Sequence, residues 1–267
     1  MIPGLALCTM VLTAMNIAAA QDLPVRLYAA GSLRGAMTDI AQAFTAAGGP
    51  PVTATFGASG LLRERIEKGE PVDVFASADM GNAEALALAG LAGTPAVFAR
   101  NRLCALTGPD VEVNSETLLD RMLDPNIRLG TSTPKADPSG DYAWLLFEKA
   151  ERQRPGAYKL LDAKALKLTG GPNSPQPPAD RSIYGVIIAE RKADIVLTYC
   201  TSAMQAIREV AGARMVDVPE SLAVGAEYGL TTMNRAPAGA ARFAAFVKSA
   251  EGQAILARHG FAPASGH

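Results

Sequence analysis

Segments with strand composition alternate with segments of helical periodicity along most of this chain. Residues 25–29 have the composition of a strand, and apolar residues then recur between Leu33 and Phe44 at spacings of four, three and four, which predicts one buried helix face. Residues 52–56 and 72–76 again have strand composition, and helical segments follow both. Because parallel strands need long crossover connections, this alternation predicts an α/β fold with a parallel sheet and helices on its faces.

The second half of the chain repeats the alternation. The predicted strands and helices are residues 127–130, 142–149, 183–191, 195–199, 228–233, 243–247 and 254–256. Residues 170–180 are rich in proline and glycine, which predicts an exposed loop without regular structure. Two βαβ groups joined in the middle of the chain predict two lobes with a cleft between them.

The N-terminus has the pattern of an export signal. Residues 1–20 carry no charged side chain, contain a short apolar stretch and end in three alanines, which a signal peptidase could cut. We therefore predict that residues 1–20 are a secretory signal peptide and that the mature protein is periplasmic. Two alternatives are a lipid anchor at Cys8, disfavoured by the bulky Leu7, and a buried N-terminal helix.

The charge balance makes a general polyanion partner unexpected. The chain has 25 basic and 26 acidic residues, a formal net charge of −1. Binding to nucleic acid or to an anionic membrane surface usually requires a basic excess. Any anion site in this chain must therefore be local.

Catalytic signatures are absent from the sequence. The chain has two histidines, His259 and His267, and lacks the motifs HExxH, GxSxG, GxGxxG and the P-loop. A secreted serine hydrolase acting through Ser32 or Ser59 would have to use His259 as its base. Because His259 directly precedes Gly260, we expect it at a helix C-terminus instead, so we predict that the protein is not an enzyme.

Four short turns rich in glycine or serine are each followed by a helical segment. They are residues 30–32, 57–59, 138–140 and 180–182, two in each half of the chain. The first N–H groups of a helix have no internal partner and lie at the positive end of its dipole, so small residues there let an anion approach. Serine is also a common N-cap, and the turns form an anion site only if they converge.

Several of these segments resemble one protein family. They are YAAGSL at residues 28–33, FGASGLL at 56–62, IEKGEPVDVFASAD at 66–79, KADIVLTY at 192–199, and SAEGQAIL at 249–256, followed by Gly260 and Phe261. In this order they resemble the molybdate-binding proteins of ABC importers. The resemblance spans essentially the whole chain after residue 20.

The resemblance implies a bilobal periplasmic-binding-protein fold, with two βαβ lobes joined by two hinge strands. Residues 21–103 together with 201–267 are expected to form the first lobe, and residues 104–200 the second. Ligand would bind between the lobes and close them, and the closed form would be recognised by an ABC importer permease. The protein is expected to act as a monomer without a cofactor.

The same resemblance implies five ligand-binding residues. These are Ser32 and Ser59 from the first lobe, Ser139 and Arg181 from the second, and Tyr199 from the hinge. The implied ligand is molybdate or tungstate, bound as an oxyanion through hydrogen-bond donors without direct metal ligands. None of the five is acidic, which disfavours phosphate because phosphate keeps a proton near neutral pH, although Asp180 lies close by in sequence.

The ligand within this class remains open. Sulfate, thiosulfate and organic anions are alternatives to molybdate, because ligand size cannot be read from the sequence. The chain also has charged residues near the implied contacts, Arg34, Lys135 and Arg181. Each is expected to be solvated, but entry of two of them into the cleft would indicate a larger or more highly charged anion.

Two cysteines remain after the predicted signal peptide, Cys104 and Cys200. Neither belongs to a CxxC motif, and a disulfide or two buried thiols are both compatible with the sequence. In the family that the chain resembles, the segments holding them correspond to the two hinge strands, which run side by side. A Cys104–Cys200 disulfide across the hinge is therefore a hypothesis that the resemblance raises, and a count of two free thiols would remove it.

Overall fold

The computed structural model describes residues 23–176 and 181–264. The predicted signal peptide, residues 1–20, lies outside the described residues. The strands are β1 Val25–Ala30, β2 Val52–Gly57, β3 Val74–Ser77, β4 Ala96–Thr107, β5 Leu129–Ser132, β6 Leu166–Thr169, β7 Ile195–Tyr199, β8 Arg214–Asp217, β9 Gly225–Thr232 and β10 Ala262–Pro263. The helices are α1 Arg34–Ala46, α2 Ser59–Glu67, α3 Met80–Leu88, α4 Leu118–Leu123, α5 Pro138–Gln153, α6 Ala157–Lys164, α7 Ile183–Ala189, α8 Cys200–Glu209, α9 Ala238–Lys248 and α10 Ala250–Arg258.

The strands form a mixed sheet in the order β2-β1-β3-β9-β4-β7-β5-β6, and β8 and β10 also pair with β4. Strand β1 is parallel to both β2 and β3, and β5 is parallel to both β6 and β7. Strand β9 is antiparallel to β3 and β4. The predicted α/β class is confirmed, with the parallel strands in two separate groups.

Strand β4 connects these two groups. Its residues 96–102 pair with β9, and residues 103–107 pair with β7. We call lobe 1 the part built on β1, β2, β3 and β9 with α1–α3, α9 and α10, and lobe 2 the part built on β5–β8 with α4–α8. The bilobal fold is therefore confirmed, whereas the predicted boundaries at residues 103/104 and 200/201 stay a prediction.

Both lobes bury apolar residues between sheet and helices. All residues of β3 and β7 are buried, because helices cover both faces of the sheet at these strands. Helix α1 buries Met37, Ile40 and Phe44, as their spacing predicts. Phe44 packs against Phe243 and Phe246 of α9, so the first and last thirds of the chain share the core of lobe 1.

Cys104 in β4 and Cys200 at the start of α8 form a disulfide, with their Cα atoms 4.9 Å apart. Leu103 and Tyr199, the residues just before them, are paired in the β4–β7 ladder. This confirms the predicted bridge and makes the alternative of two free thiols wrong. The disulfide fixes the chain directly after Tyr199.

The helices of the described ranges are all too short or too polar to cross a lipid bilayer.

Candidate functional site

A cavity of about 130 Å³ lies between the lobes, at the carboxyl ends of the parallel strands. Lobe 1 lines it with the turns after β1 and β2 and with Ala78 after β3. Lobe 2 lines it with the turns after β5 and β6, the start of α7 and Tyr199 at the end of β7. Because open α/β sheets bind ligands at the carboxyl ends of their strands, this cavity is the candidate site.

Ser32 reaches the cavity from the short 3₁₀ turn Gly31–Leu33 that follows β1. Its hydroxyl lies 2.9 Å from the Tyr228 hydroxyl, and the Asn101 side-chain amide donates to the same Tyr228 oxygen at 3.2 Å. Tyr228 accepts a hydrogen bond from Asn101 and can donate its own proton to Ser32. The Ser32 proton is then available to a bound ligand.

Ser59 begins α2 and is fully buried. Its hydroxyl accepts a hydrogen bond from the Ala78 amide at 3.0 Å, and the cavity wall beside it consists of Ala58 and Ala78. The Ser59 side chain therefore joins two turns of lobe 1 to each other. Its role as a ligand donor stays a prediction.

Ser139 lines the cavity from the first turn of α5. Its amide donates to the side chain of Asp137, the N-cap of that helix, at 3.1 Å. Its hydroxyl is buried and makes no hydrogen bond of good geometry with the described residues, although the Tyr184 phenol lies close to it. Because an unsatisfied buried polar group costs about 1–3 kcal/mol, a ligand that accepts this hydrogen bond would relieve that cost.

Tyr199 ends β7 and is almost fully buried beside the cavity. Its hydroxyl donates to the Ala78 carbonyl across the lobes at 3.3 Å, and its ring packs against Tyr228 at 5.5 Å between centroids. Burial raises the pKa of Tyr199 well above its usual range. The phenol therefore stays neutral and remains a hydrogen-bond donor.

The predicted residues of lobe 1 and the hinge converge. Ser59 and Tyr199 both bond to the backbone of Ala78, and Ser32 contacts Tyr228, whose ring packs on Tyr199. Ser32, Ser139, Arg181 and Tyr199 all line the cavity. Turns from both halves of the chain that the sequence analysis singles out therefore line one cavity, and the Ser59 side chain lies behind the cavity wall.

Two of the three charged residues flagged by the sequence line the cavity. Arg34 of lobe 1 and Arg181 of lobe 2 are lining residues, and both side chains are exposed, as expected of solvated charges. The Arg34 guanidinium lies 4.7 Å from the centre of the Phe56 ring, a cation–π contact that holds it at the wall. Lys135 is exposed and does not line the cavity within the described part of the chain.

An acidic residue that sequence reasoning missed also lines the cavity. Asp137 accepts hydrogen bonds from the Ser132 hydroxyl at 2.5 Å and from the Ser139 amide. Burial raises the pKa of the Asp137 carboxyl, and the nearby Asp141 and Asp79 carboxylates raise it further, against the opposing effect of these two hydrogen bonds. The pair Asp137-Pro138 before a helical segment could have indicated this residue, because aspartate is a strong N-cap and proline favours the next position.

Two further cavity groups were not singled out as ligand contacts. Tyr184 lines the cavity from the first turn of α7, and burial raises the pKa of its phenol above the usual range. Ser182 caps that helix by accepting a hydrogen bond from the Gly185 amide at 3.4 Å. Nothing in the local spacing distinguishes Tyr184 from a core residue.

His259 lies outside the cavity lining described here. Its Nε2 atom is 2.8 Å from a carboxylate oxygen of Asp39, which joins the end of α10 to α1. The predicted place of His259 at a helix C-terminus is confirmed. This histidine is therefore not the general base that a hydrolase acting through Ser32 or Ser59 would need.

Two α/β lobes that share a strand, with a cavity between them lined by hydroxyls and helix N-termini, define a bilobal solute-binding protein. The chain matches the model of the bacterial extracellular solute-binding protein family over residues 25–262, and it belongs to that family. Within it, the chain is a ModA-like solute-binding protein.

Individual relatives agree with this assignment. Molybdate-binding protein ModA of Mycobacterium tuberculosis is 30% identical over 243 residues, which cover 88% of this chain and 83% of ModA. Uncharacterized protein PM1146 of Pasteurella multocida is 37% identical over 207 residues, covering 77% of this chain and 86% of that one. The periplasmic molybdate-binding protein of Azotobacter vinelandii has the same fold, with a TM-score of 0.72 at 21% identity over 89% of this chain and 98% of that one.

Proposed function

We propose that this chain captures a small tetrahedral oxyanion between its lobes and delivers it to the permease of an ABC importer. The observation that carries the proposal is the buried Ser139 hydroxyl, which lines the cavity without a partner among the described residues. Ser32 adds a second hydroxyl to the lining from lobe 1, whereas the Tyr199 phenol donates its proton to the Ala78 carbonyl. Charge-assisted hydrogen bonds to an anion are about twice as strong as neutral ones, so such a cavity favours an oxyanion.

Molybdate or tungstate is the primary ligand that we propose. The curated relative ModA of Mycobacterium tuberculosis supports this choice at 30% identity across most of both chains. The family and the predicted signal peptide at residues 1–20 support action in the periplasm. The chain would act by binding alone, because closing the lobes needs only contacts that each lobe adds to the ligand.

A second ligand class is favoured by the cavity charges. Arg34 and Arg181 line the cavity from opposite lobes as exposed side chains, and together they offer two positive charges to a bound anion. An organic oxyanion with a further anionic group would use them. Sulfate and thiosulfate remain alternatives of the same shape as molybdate.

A thermal-shift panel tests the proposal with molybdate, tungstate, sulfate, thiosulfate and phosphate. A ligand present at about 100 times its Kd stabilises the folded state by about 2.7 kcal/mol. We expect the largest shift with molybdate and tungstate, and a clearly smaller shift in Ser139→Ala. A response to sulfate alone would make sulfate the ligand in place of molybdate. If none of the oxyanions shifts the melting temperature, oxyanion capture is refuted.

A further inference from the structure

Tyr228 of β9 contacts Ser32 but does not itself line the cavity in the described part of the chain. Its side chain is fully buried, and its ring packs against the rings of Phe98, Tyr199 and Phe261 at 6.3, 5.5 and 5.3 Å between centroids. A close-packed interior leaves such a ring little room to move. The phenolic oxygen of Tyr228 is therefore held in place, 2.9 Å from the Ser32 hydroxyl.

The Asn101 side chain of β4 determines the direction of the next hydrogen bond. Its amide oxygen accepts from the backbone amide of Arg102 at 2.9 Å, which identifies the other end of the group as its nitrogen. That nitrogen donates to the Thr201 hydroxyl at 2.8 Å and to the Tyr228 hydroxyl at 3.2 Å. Both of its protons are thereby used, and Tyr228 is an acceptor toward Asn101.

The proton of Tyr228 is then available to a different acceptor. Burial raises the pKa of the Tyr228 phenol above its usual range, so the phenol keeps this proton. The Ser32 hydroxyl makes a hydrogen bond of good geometry with it. The Tyr199 phenol is also near the Tyr228 oxygen, but its own hydrogen bond goes to the Ala78 carbonyl. Once Ser32 accepts from Tyr228, its own proton is left for the cavity side.

These hydrogen bonds form a chain from Thr201 through Asn101 and Tyr228 to Ser32, which we call the relay. Its far end lies at the start of α8, where Thr201 directly follows the disulfide-bonded Cys200. The acceptor that orients Asn101 is therefore itself held next to a covalent cross-link.

We propose that Asn101 and Tyr228 are positioning residues that keep the Ser32 proton directed at a bound oxyanion. They act through Ser32, by removing the alternative in which Ser32 donates to Tyr228 and turns a lone pair toward the anion. A free hydroxyl has about three staggered positions for its proton, so fixing one of them favours binding about threefold. Hydrogen bonds in a chain also polarise one another, which adds to this effect. The inference deepens the proposed function and rests on it.

A double-mutant cycle tests the inference by isothermal titration calorimetry with molybdate. Tyr228→Phe keeps the ring and removes the hydroxyl. We expect it to lower the affinity at least about threefold when Ser32 is present. In the Ser32→Ala background it should leave the affinity unchanged, because the group that it positions is missing. A residue that only supports the fold would lower the affinity equally in both backgrounds.

Tyr28→Phe is the matched control. Tyr28 is also a buried tyrosine of lobe 1, and its hydroxyl accepts a hydrogen bond from Arg65 at 2.9 Å, away from the cavity lining of the described chain. The control loses a phenolic hydroxyl and a hydrogen bond, as Tyr228→Phe does. Its affinity for molybdate should equal that of the wild type.

Asn101→Asp is a second variant that reverses the relay. A carboxylate only accepts hydrogen bonds, so Tyr228 would donate to it and Ser32 would donate to Tyr228, away from the ligand. The added negative charge weakens anion binding with or without Ser32, so the comparison of the two backgrounds isolates the relay. We expect the loss of affinity to be at least about threefold larger when Ser32 is present than in Ser32→Ala.

The outcomes separate this inference from the proposed function. Equal losses of affinity in the two backgrounds, for Tyr228→Phe or for Asn101→Asp, would overturn the positioning role and leave oxyanion capture standing. Unchanged affinity in Ser32→Ala would also overturn it, because Ser32 would then make no bond to the ligand. If the wild type binds neither molybdate nor any other oxyanion of the thermal-shift panel, the proposed function itself is wrong.

Discussion

The cavity hydroxyls differ in how their hydrogen bonds are used inside the protein. Ser59 accepts from a backbone amide and Tyr199 donates to a backbone carbonyl, so both help to hold the wall. Ser139 has a free hydroxyl within the described structure, although it is equally buried. Among the side chains of the described residues that are buried without a hydrogen-bond partner, Ser139 is the one that also lines the cavity, which places its hydroxyl within reach of a bound ligand.

Ser139→Ala should separate ligand binding from stability. The variant loses a hydrogen bond to a charged ligand, worth about 1.5–3 kcal/mol, so affinity should fall at least about tenfold. The free energy of unfolding without ligand should stay within about 0.5 kcal/mol or rise, because no internal bond is lost. Calorimetry and urea unfolding measure the two quantities.

Thr131→Val is the matched control for Ser139→Ala. The Thr131 hydroxyl is likewise buried without a partner among the described residues, but it does not line the cavity. Its variant should bind ligand as the wild type does. Unchanged affinity in Ser139→Ala would contradict the assignment of its hydroxyl to the ligand.

The raised pKa of Asp137 predicts that ligand binding depends on pH. A bound dianion raises this pKa further, so binding takes up protons and affinity falls as pH rises through the pKa of the free site. The free energy of unfolding depends on pH in the same direction. An acid with a raised pKa binds more protons in the folded protein than in the unfolded chain, so its contribution to stability is lost as pH rises. The carboxylates of Asp141 and Asp79 also raise the pKa of Asp137, whereas the positive charges of Arg34 and Arg181 at the cavity would lower it.

Asp137→Asn tests this pH dependence. Asparagine keeps the N-cap of α5, so the helix should remain intact. Calorimetry of molybdate binding in two buffers of different ionisation enthalpy should detect proton uptake in the wild type and none in the variant. Absence of proton uptake by the wild type would show that Asp137 does not respond to the ligand.

At the scale of elements, the disulfide ties the crossing strand β4 to helix α8. Cys104 and Cys200 are separated by 96 residues, and both pack in the apolar cluster of lobe 2 with Ile187 and Ala203. A cross-link over a long loop removes much conformational freedom from the unfolded chain. The bond also fixes the residue after Tyr199, a cavity residue.

Replacing both cysteines by serine should destabilise the protein by about 2–5 kcal/mol. Urea unfolding with and without reductant measures this change. Reductant should lower the stability of the wild type to that of the variant and should leave the variant unaffected. A count of two free thiols in the untreated wild type would contradict the disulfide.

At the scale of the whole molecule, the lobes touch at the first turn of α2. The Gly60 amide donates to the Ala136 carbonyl of lobe 2 at 3.0 Å. A Cβ atom at Gly60 would lie 2.6 Å from the Lys135 carbonyl oxygen and 2.8 Å from that of Ala136. Only glycine lets the two backbones approach this closely, so this contact belongs to the closed arrangement of the lobes.

Gly60→Ala should therefore weaken ligand binding by opposing closure. We expect affinity to fall by at least about tenfold, while the stability without ligand changes by less than about 1 kcal/mol, since alanine favours the helix. Small-angle scattering with saturating molybdate should show a larger radius of gyration than for the wild type. Gly81→Ala is the control, because Gly81 is also the second residue of a helix and has open space around it. A Gly60→Ala variant with wild-type affinity would mean that ligand does not require this contact.

The sequence by itself determined the order and kind of most elements. Strand composition at residues 25–29 and 195–199 and the helical spacing from Leu33 to Phe44 are set by neighbours along the chain, and they match β1, β7 and α1. The full length of β4 was not evident, because Arg100 and Arg102 interrupt its apolar pattern. Its twelve residues are held by pairing with β7, β8 and β9, which are distant in sequence.

The direction of each side chain was decided only by the tertiary structure. Ser32 meets Tyr228 across 196 residues of chain and Tyr199 meets Ala78 across 121, and no local pattern reports such contacts. The same packing buries the Ser59 hydroxyl in the wall and brings Asp137 to the cavity. Local periodicity depends on residues three or four apart, whereas a site between two lobes depends on how separately folded strands pair and pack.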